Sequence, residues 1–319
     1  MHIVLSDDYQ DAVRHLACFE QLRGHTVTIH RDTVSGTAAL AERFADADAL
    51  VLIRERTAIT DELLAELPRL RLISQTGRGT AHIDLAACAR RGVTVCAGTG
   101  SPHAPAELTW ALVLAAARRL PGEVQRLRGG AWQSTVGTLL RGRTLGVWGL
   151  GKIGSLVAGY GAAFGMRVLV FGRESSRIRA AAAGYELAER EEALFERADV
   201  LSLHLRLTRE TRGLVTPELL AGMKPDALFV NTSRAELVAP GALVAALQAG
   251  RPGFAAVDVY EEEPVLGASH PLLALDNALC TPHLGYVERD SYELYFGQAF
   301  EQVRAFAAGA PVRVVGAGG

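Results

Sequence analysis

The stretch Thr144-Leu-Gly-Val-Trp148-Gly149-Leu150-Gly151-Lys152-Ile153-Gly154 decides how the whole chain is read. The apolar run from Thr144 to Trp148 reads as a buried strand, and Lys152 to about Phe164 reads as a helix. Between them lie three glycines in GxGxxG spacing, the context that motif requires. Gly149 permits the tight turn, Gly151 lets backbone approach a pyrophosphate, and Gly154 lets helix and strand pack closely. Lys152 and Ile153 open the helix, whose first N–H groups and positive dipole end suit a phosphate anion. A bound dinucleotide is the ligand this turn predicts.

Downstream, Arg167 to Phe171, Ala198 to Leu203, Ala227 to Asn231, Gly253 to Val259 and Ala278 to Cys280 continue the strand and helix alternation. Upstream, His2 to Ser6, Thr26 to Ile29, Ala49 to Ile53 and Leu70 to Ser74 form an earlier series. The strands are continuously apolar rather than alternating, so both faces of each sheet are covered by helices. Thr216-Pro-Glu-Leu-Leu-Ala repeats the pattern of Thr60-Asp-Glu-Leu-Leu-Ala 156 residues later, each followed by an apolar run, which suggests related plans for the two series.

Pro105 to Leu120 is apolar around most of its circumference and reads as a buried helix, with Pro121-Gly122 as its stop. Such a helix is either a core helix of one domain or one that crosses between domains or packs on a second subunit. We take the crossing role, because a new strand series starts just after it. The segment Ser291 to Gly309 reads as a long amphipathic helix that returns to the first domain. The fold class is therefore α/β with two doubly wound parallel-sheet domains. A Rossmann dinucleotide-binding domain (104–287) is inserted into a discontinuous flavodoxin-like substrate domain (1–103 and 288–319), and the two crossings act as a hinge.

Composition bounds the function. The chain has 319 residues, enough for two domains at roughly 150 residues each. It is 49% hydrophobic, and 33 basic against 35 acidic residues leave a net charge of −2, which draws the protein to neither nucleic acid nor anionic lipid. A small molecule is the expected partner. Cys18, Cys88, Cys96 and Cys280 show no CxxC spacing, and no grouping of the nine histidines suggests a metal. Asp7 and Asp8 interrupt the N-terminus too early for a signal peptide, and no apolar run is long enough to span a bilayer, so a cytoplasmic protein is expected.

The cofactor's ribose is read at the end of the second strand, where an acid suits a 2′-hydroxyl and an arginine a 2′-phosphate. The strand here ends Val170-Phe171-Gly172-Arg173-Glu174-Ser175-Ser176-Arg177. Arg173 at that place, with two hydroxyls and Arg177 beside it, favours NADP(H). Glu174, one residue on, is the group that would instead serve an NAD(H) ribose.

Three further segments sit at predicted strand ends, where open α/β sheets bind ligands: Asn231-Thr232-Ser233-Arg234, Asp258-Val-Tyr-Glu-Glu-Glu263-Pro264 and Thr281-Pro-His283-Leu-Gly285. An arginine to hold and polarise, an imidazole to move a proton and a carboxylate to tune it make a sensible set for reducing a 2-keto acid.

On these motifs, and on Ser202-Leu-His204-Leu after Asp199, the chain resembles the D-isomer-specific 2-hydroxyacid dehydrogenase family, which includes glyoxylate/hydroxypyruvate reductases and D-3-phosphoglycerate dehydrogenases. The motifs occur in the family's order over essentially the whole length. The resemblance implies hydride transfer between nicotinamide and a small D-2-hydroxy acid or 2-keto acid, with His283 as the acid/base. It implies that Glu263 bonds the imidazole, Arg234 binds the substrate carboxylate and keto oxygen, and Asp258 faces the nicotinamide carboxamide. Thr232, Ser233, His204 and Gly285 fall at cofactor positions, His204 being equally readable as a strand-end core residue. From the first domain, Gln75-Thr-Gly77-Arg78-Gly79 would cradle the substrate carboxylate. Arg54 matches a segment near the cleft, or else makes a surface salt bridge. Family habit and the Trp110 helix both point to a homodimer.

The chain departs from the pattern at Arg206, where proline is usual, at Arg78, where a neutral residue is usual, and at Ala235-Glu236, where glycine is common. Its length leaves no room for the C-terminal regulatory domain of the family's larger forms. A different class on the same fold, a dinucleotide-sensing protein of corepressor type, is disfavoured by the intact Arg234, Glu263 and His283 and by the lack of a basic tail.

Overall fold

The computed structural model describes residues 1–316. The chain divides into two compact units, one of Met1–Ser101 with the chain from Val287 onward, the other of Pro102–Tyr286.

The first unit contains strands β1 (His2–Leu5), β2 (Thr26–Ile29), β3 (Ala49–Ile53), β4 (Leu72–Thr76) and β5 (Thr94–Ala97), with helices α1 (Thr37–Phe44), α2 (Asp61–Ala65) and α3 (Leu85–Arg90) between them. All pairings are parallel in the order β2-β1-β3-β4-β5, a flavodoxin-like arrangement. The residues of β3 and β4 are buried throughout, as strands covered on both faces must be. The fourth strand lies two residues later than the apolar run Leu70 to Ser74 suggests. Leu70 and Arg71 belong to the turn, where their N–H groups bond Leu67 and Asp48 carbonyls. β5 has no counterpart in the sequence reading.

The second unit opens with α4 (His103–Ala117) and α5 (Leu120–Arg128) and continues through β6 (Thr144–Trp148), α6 (Lys152–Ala163), β7 (Arg167–Phe171), α7 (Glu174–Ala182), β8 (Glu186–Leu187), α8 (Glu191–Arg197), β9 (Val200–Leu203), α9 (Pro217–Ala221), β10 (Leu228–Asn231), α10 (Ala242–Gln248), β11 (Phe254–Val257) and β12 (Ala278–Cys280). The seven strands are parallel in the order β12-β11-β10-β9-β6-β7-β8. The order reverses between β6 and β9, which makes that point the topological switch of a Rossmann sheet.

Two helix readings need correction. Helix α4 does not cross: it lies within the second unit, where Ala106, Trp110, Leu112, Val113 and Ala116 join the core built on β6, β7 and β9 to β11. Nor do Pro121-Gly122 stop it, because Arg119 in left-handed backbone has already broken the helix, and Pro121 sits in the first turn of α5. Proline is tolerated there because a first-turn N–H has no helical partner to lose.

The sequence echo corresponds to a repeated helix and strand unit. Thr60 and Thr216 cap α2 and α9 by accepting hydrogen bonds from Leu63 and Leu219 N–H, at 3.2 and 3.3 Å. The strands that follow, β4 and β10, start at Leu72 and Leu228, the same 156 residues apart.

The last helix, α11 (Arg289–Ala307), returns to the first unit and packs on β4 and the short helical turn Ala17–Leu22. Ser74 on β4 donates hydrogen bonds to the Ala299 carbonyl and Gln302 of α11, at 2.9 and 2.7 Å.

Candidate functional site

The glycine turn follows β6 at the switch point. Gly149 has φ +94°, and a Cβ there would stand 2.7 Å from the His204 carbonyl oxygen at the end of β9. A Cβ on Gly154 would collide with the Gly149 carbonyl, whereas one on Gly151 would meet no atom within 4 Å. Two glycines thus let the turn close on its neighbours, and the middle one keeps open space beside the first N–H groups of α6. Gly151 caps that helix without a side-chain hydrogen bond, and Lys152 is exposed beside it while Ile153 is half-buried. Such a cradle fits a dinucleotide pyrophosphate. Its conformation is braced from α7: Leu150 N–H donates to Ser176 Oγ at 3.1 Å, and the Leu150 carbonyl accepts from Arg179 Nε at 2.5 Å. Neither brace is visible in the motif, because both come from a helix about 25 residues downstream.

Arg173 is the N-cap residue of α7 at the end of β7. Its carbonyl accepts from Ser176 and Arg177 N–H at 2.8 and 3.2 Å, while its exposed side chain makes no hydrogen bond or salt bridge among the described residues. Glu174 lies 4.0 Å from Arg177. His204 follows β9, its Nε2 2.9 Å from Ser202 Oγ. Burial of the ring pushes the imidazole down to about 4, so it is neutral near pH 7.

The other motif residues of this unit lie along the same sheet edge, because β10, β11 and β12 are adjacent and parallel. After β10, Asn231 Nδ2 donates to the Arg234 carbonyl at 2.8 Å and its Oδ1 accepts from Ser233 N–H at 3.0 Å. Ser233 Oγ donates to the Leu203 carbonyl at 2.7 Å, tying this turn to β9, and Thr232 Oγ1 is 2.7 Å from Thr109 Oγ1 of α4. Arg234 leaves this tied turn with its Nη1 bonded to the Ser233 carbonyl at 2.7 Å.

After β11, Asp258 is wholly buried and accepts three hydrogen bonds from the loop after β12: Thr281 Oγ1 at 2.6 Å, Leu284 N–H at 2.7 Å and Gly285 N–H at 2.9 Å. Burial raises its carboxyl above the ordinary aspartate range, against the opposing pull of these donors and of His283. Here Asp258 fastens the loop that presents His283. The sequence offered no sign of this tie beyond the presence of an acid at a strand end.

Within that loop His283 has φ +52°, left-handed backbone that a side chain with a Cβ adopts at a cost. Its Nδ1 lies 2.5 Å from Glu263 Oε2. The other carboxylate oxygen, Oε1, accepts from Tyr260 N–H at 3.0 Å. A bonded Nδ1 fixes the ring orientation and leaves Nε2 as the nitrogen that can exchange a proton with a ligand. The two side chains are about a quarter exposed, enough for access without full solvation.

The first-unit residues form a group of their own at the ends of β3 and β4. Arg54, with φ +57°, donates its N–H to Thr76 Oγ1 at 3.0 Å and accepts from Gln75 Nε2 at 2.8 Å through its carbonyl. Its guanidinium lies 5.8 Å from the Tyr295 ring centroid. Gly77 has φ +98°, and a Cβ there would stand 3.0 Å from Arg54 Nη1. A Cβ on Gly79 would meet the Glu55 carboxylate. Arg78, between these glycines, is exposed and makes no hydrogen bond or salt bridge with the described residues. Among the described residues no cluster of three His, Cys, Asp or Glu side chains is arranged to hold a metal, and no helix is long and apolar enough to cross a membrane.

Residues 110–285 match the family model described as D-isomer specific 2-hydroxyacid dehydrogenase, NAD binding domain. The chain is 42% identical over 285 residues to the glyoxylate reductase of Aeropyrum pernix, covering 85% of this chain and 83% of that one. It spans about half the length of the mycobacterial D-3-phosphoglycerate dehydrogenases it also matches. Among solved structures it is similar to the phosphoglycerate oxidoreductase of Vibrio cholerae, with 56% identity, a TM-score of 0.95 and coverage of 97% of this chain and 100% of that one. It is also similar to the D-lactate dehydrogenase of Aquifex aeolicus solved with NAD and lactic acid, at 30% identity, a TM-score of 0.75 and 96% coverage of both. The family model spans more than half of the chain and the archetypal sheet-edge motifs all fall inside it, so the protein belongs to the D-isomer specific 2-hydroxyacid dehydrogenase family.

Proposed function

We propose that the protein interconverts a small D-2-hydroxy acid and its 2-keto acid by hydride transfer, with His283 as the acid/base. The observation that carries this reading is the contact of Glu263 Oε2 with His283 Nδ1, 2.5 Å, in a loop fastened by Asp258. When bound, the nicotinamide supplies or accepts the hydride. His283 Nε2 gives a proton to the carbonyl oxygen in reduction and removes it from the hydroxyl in oxidation. Glu263 holds the ring in one tautomer and compensates the charge of the imidazolium. Arg234 binds the substrate carboxylate and polarises the keto oxygen. Arg54, Gly77, Arg78 and Gly79 supply further carboxylate-binding groups. Asp258 holds the loop and faces the carboxamide side of the cofactor, near Thr232, Ser233 and Gly285.

NADP(H) is the favoured cofactor. Arg173 is exposed with no salt-bridge partner at the place where a 2′-phosphate is read, and Glu174, the group suited to an NAD ribose, lies beside Arg177. The protein acts as a homodimer through the segment 120–139. Trp132, Val136 and Leu139 there are 77, 95 and 74% exposed, apolar side chains that a second copy would cover. Four unbridged cysteines support a reducing compartment, the cytoplasm.

The test is initial-rate oxidation of NADPH and NADH in parallel, with glyoxylate, hydroxypyruvate, pyruvate and bulkier 2-keto acids. Turnover that is faster with NADPH at limiting cofactor supports the reading. Tight dinucleotide binding without turnover of any 2-keto acid would overturn it.

A further inference from the structure

The loop between β11 and β12 carries a second His–Glu pair that the reaction does not use. His270 Nε2 lies 3.0 Å from Glu261 Oε2. Its Nδ1 accepts from Leu272 N–H at 3.3 Å, capping the helical turn Pro271–Ala274. With Nδ1 an acceptor, the ring proton sits on Nε2 and is donated to Glu261, so both ring nitrogens are used by the neutral imidazole. His270 is 16% exposed, and its ring lies edge-on to Tyr260 with centroids 5.0 Å apart.

Tyr260 connects this pair to the site. Its N–H donates to Glu263 Oε1 at 3.0 Å, and its hydroxyl donates to the Thr281 carbonyl at 3.0 Å. That same carbonyl accepts from His283 N–H at 3.0 Å. One buried tyrosine therefore holds the carboxylate by its backbone and the histidine's loop by its hydroxyl. Glu261 and His270 clamp it, since Glu261 adjoins Tyr260 in the chain and His270, bonded to Glu261, packs on its ring.

We propose that Tyr260 and His270 are positioning residues for the Glu263–His283 pair, His270 acting through the tyrosine ring and Glu261. The proposal rests on the assignment of His283 and Glu263 given above. A carboxylate at hydrogen-bond distance loses much of its effect when its geometry loosens, so slackening the clamp reaches the proton step while the cofactor turn stays unchanged.

The experiment uses whichever 2-keto acid turns over fastest and compares His270→Asn, Tyr260→Phe, Glu263→Gln and the double variant His270→Asn/Glu263→Gln. Asparagine keeps an acceptor for Leu272 N–H, so the helical turn keeps its cap and the thermal midpoint stays at the wild-type value. The expected result for His270→Asn and Tyr260→Phe is a kcat lower by about three- to tenfold with KM within twofold, as for a coupling of neighbours in one network. The alkaline limb of the reduction profile moves to lower pH, because His283 is less well held in its protonated form. In the Glu263→Gln background His270→Asn adds no further movement of that limb. A wild-type limb in His270→Asn, or an equal additional movement in the double variant, overturns the positioning role while leaving Glu263 in place. If Glu263→Gln itself leaves the limb unmoved, the assignment of Glu263 falls and the positioning role falls with it.

Discussion

Glu263 Oε2 and His283 Nδ1 lie 2.5 Å apart, although 20 residues separate them in the chain and they follow different strands. That contact selects the ring nitrogen open to a ligand. His283→Gln keeps a polar side chain and removes the titrating group. Turnover in either direction should fall on the order of 10²- to 10⁴-fold, while the dissociation constant for NADPH, followed by fluorescence, stays within about twofold. Loss of cofactor binding in parallel with turnover would assign the histidine a structural role instead.

Arg234 leaves a turn fixed by Asn231 and Ser233, so its truncation should not disturb the backbone around it. Arg234→Ala should raise KM for the keto acid and lower kcat together, by about tenfold or more each, because the variant lacks the charged group proposed to bond both carboxylate and keto oxygen. Steady-state kinetics with one keto acid are sufficient. A silent variant would move the carboxylate site elsewhere.

Arg173→Ala should weaken NADPH more than NADH. An exposed charge-assisted contact with a phosphate contributes roughly 1 to 2 kcal/mol, or about five- to thirtyfold in affinity, and NADH offers no phosphate there. Parallel titrations with the two cofactors read the ratio, and equal weakening would show that Arg173 does not read the 2′ position.

His204 gives a pH dependence of stability. Its imidazole is depressed to about 4 in the folded protein, against 6.5 as its ordinary value. The unfolded chain therefore binds the proton first on acidification, and stability is lost as pH falls through 6.5 toward 4. His204→Gln lacks this contribution. Urea unfolding of the two proteins at pH 7 and pH 5 should show the variant losing less stability, by at most about 2 kcal/mol. An identical loss would mean that the ring accepts a proton while folded.

How much of this was legible depended on whether the cause was local. Thr26 to Ile29, Ala49 to Ile53, Thr144 to Trp148, Arg167 to Phe171 and Ala278 to Cys280 are strands with the bounds their apolar runs suggest; Ala49 to Ile53 and Thr144 to Trp148 are buried at every position, as strands covered on both faces must be, while β2 and β12 at the sheet edges keep their bounds though only partly covered. β8, with only Glu186 and Leu187 at the sheet edge, carries no such pattern. Pro121 misled because proline both ends helices and begins them, and the deciding event was the left-handed backbone of Arg119. At the site, acids, arginine and histidine at strand ends were visible as residue types. The Ser176 and Arg179 braces, the Asp258 tie and the Tyr260 bridge were not, since each joins elements far apart in the chain and no spacing rule links them.

The left-handed backbone of His283 sets protein robustness against chemistry at a single codon. Glycine adopts that conformation freely, and a residue with a Cβ pays about 1 to 2 kcal/mol for it. A library selected only for thermal resistance should therefore favour His283→Gly and return folded proteins without activity. Efforts to harden this scaffold have to hold position 283 fixed and look for gains elsewhere.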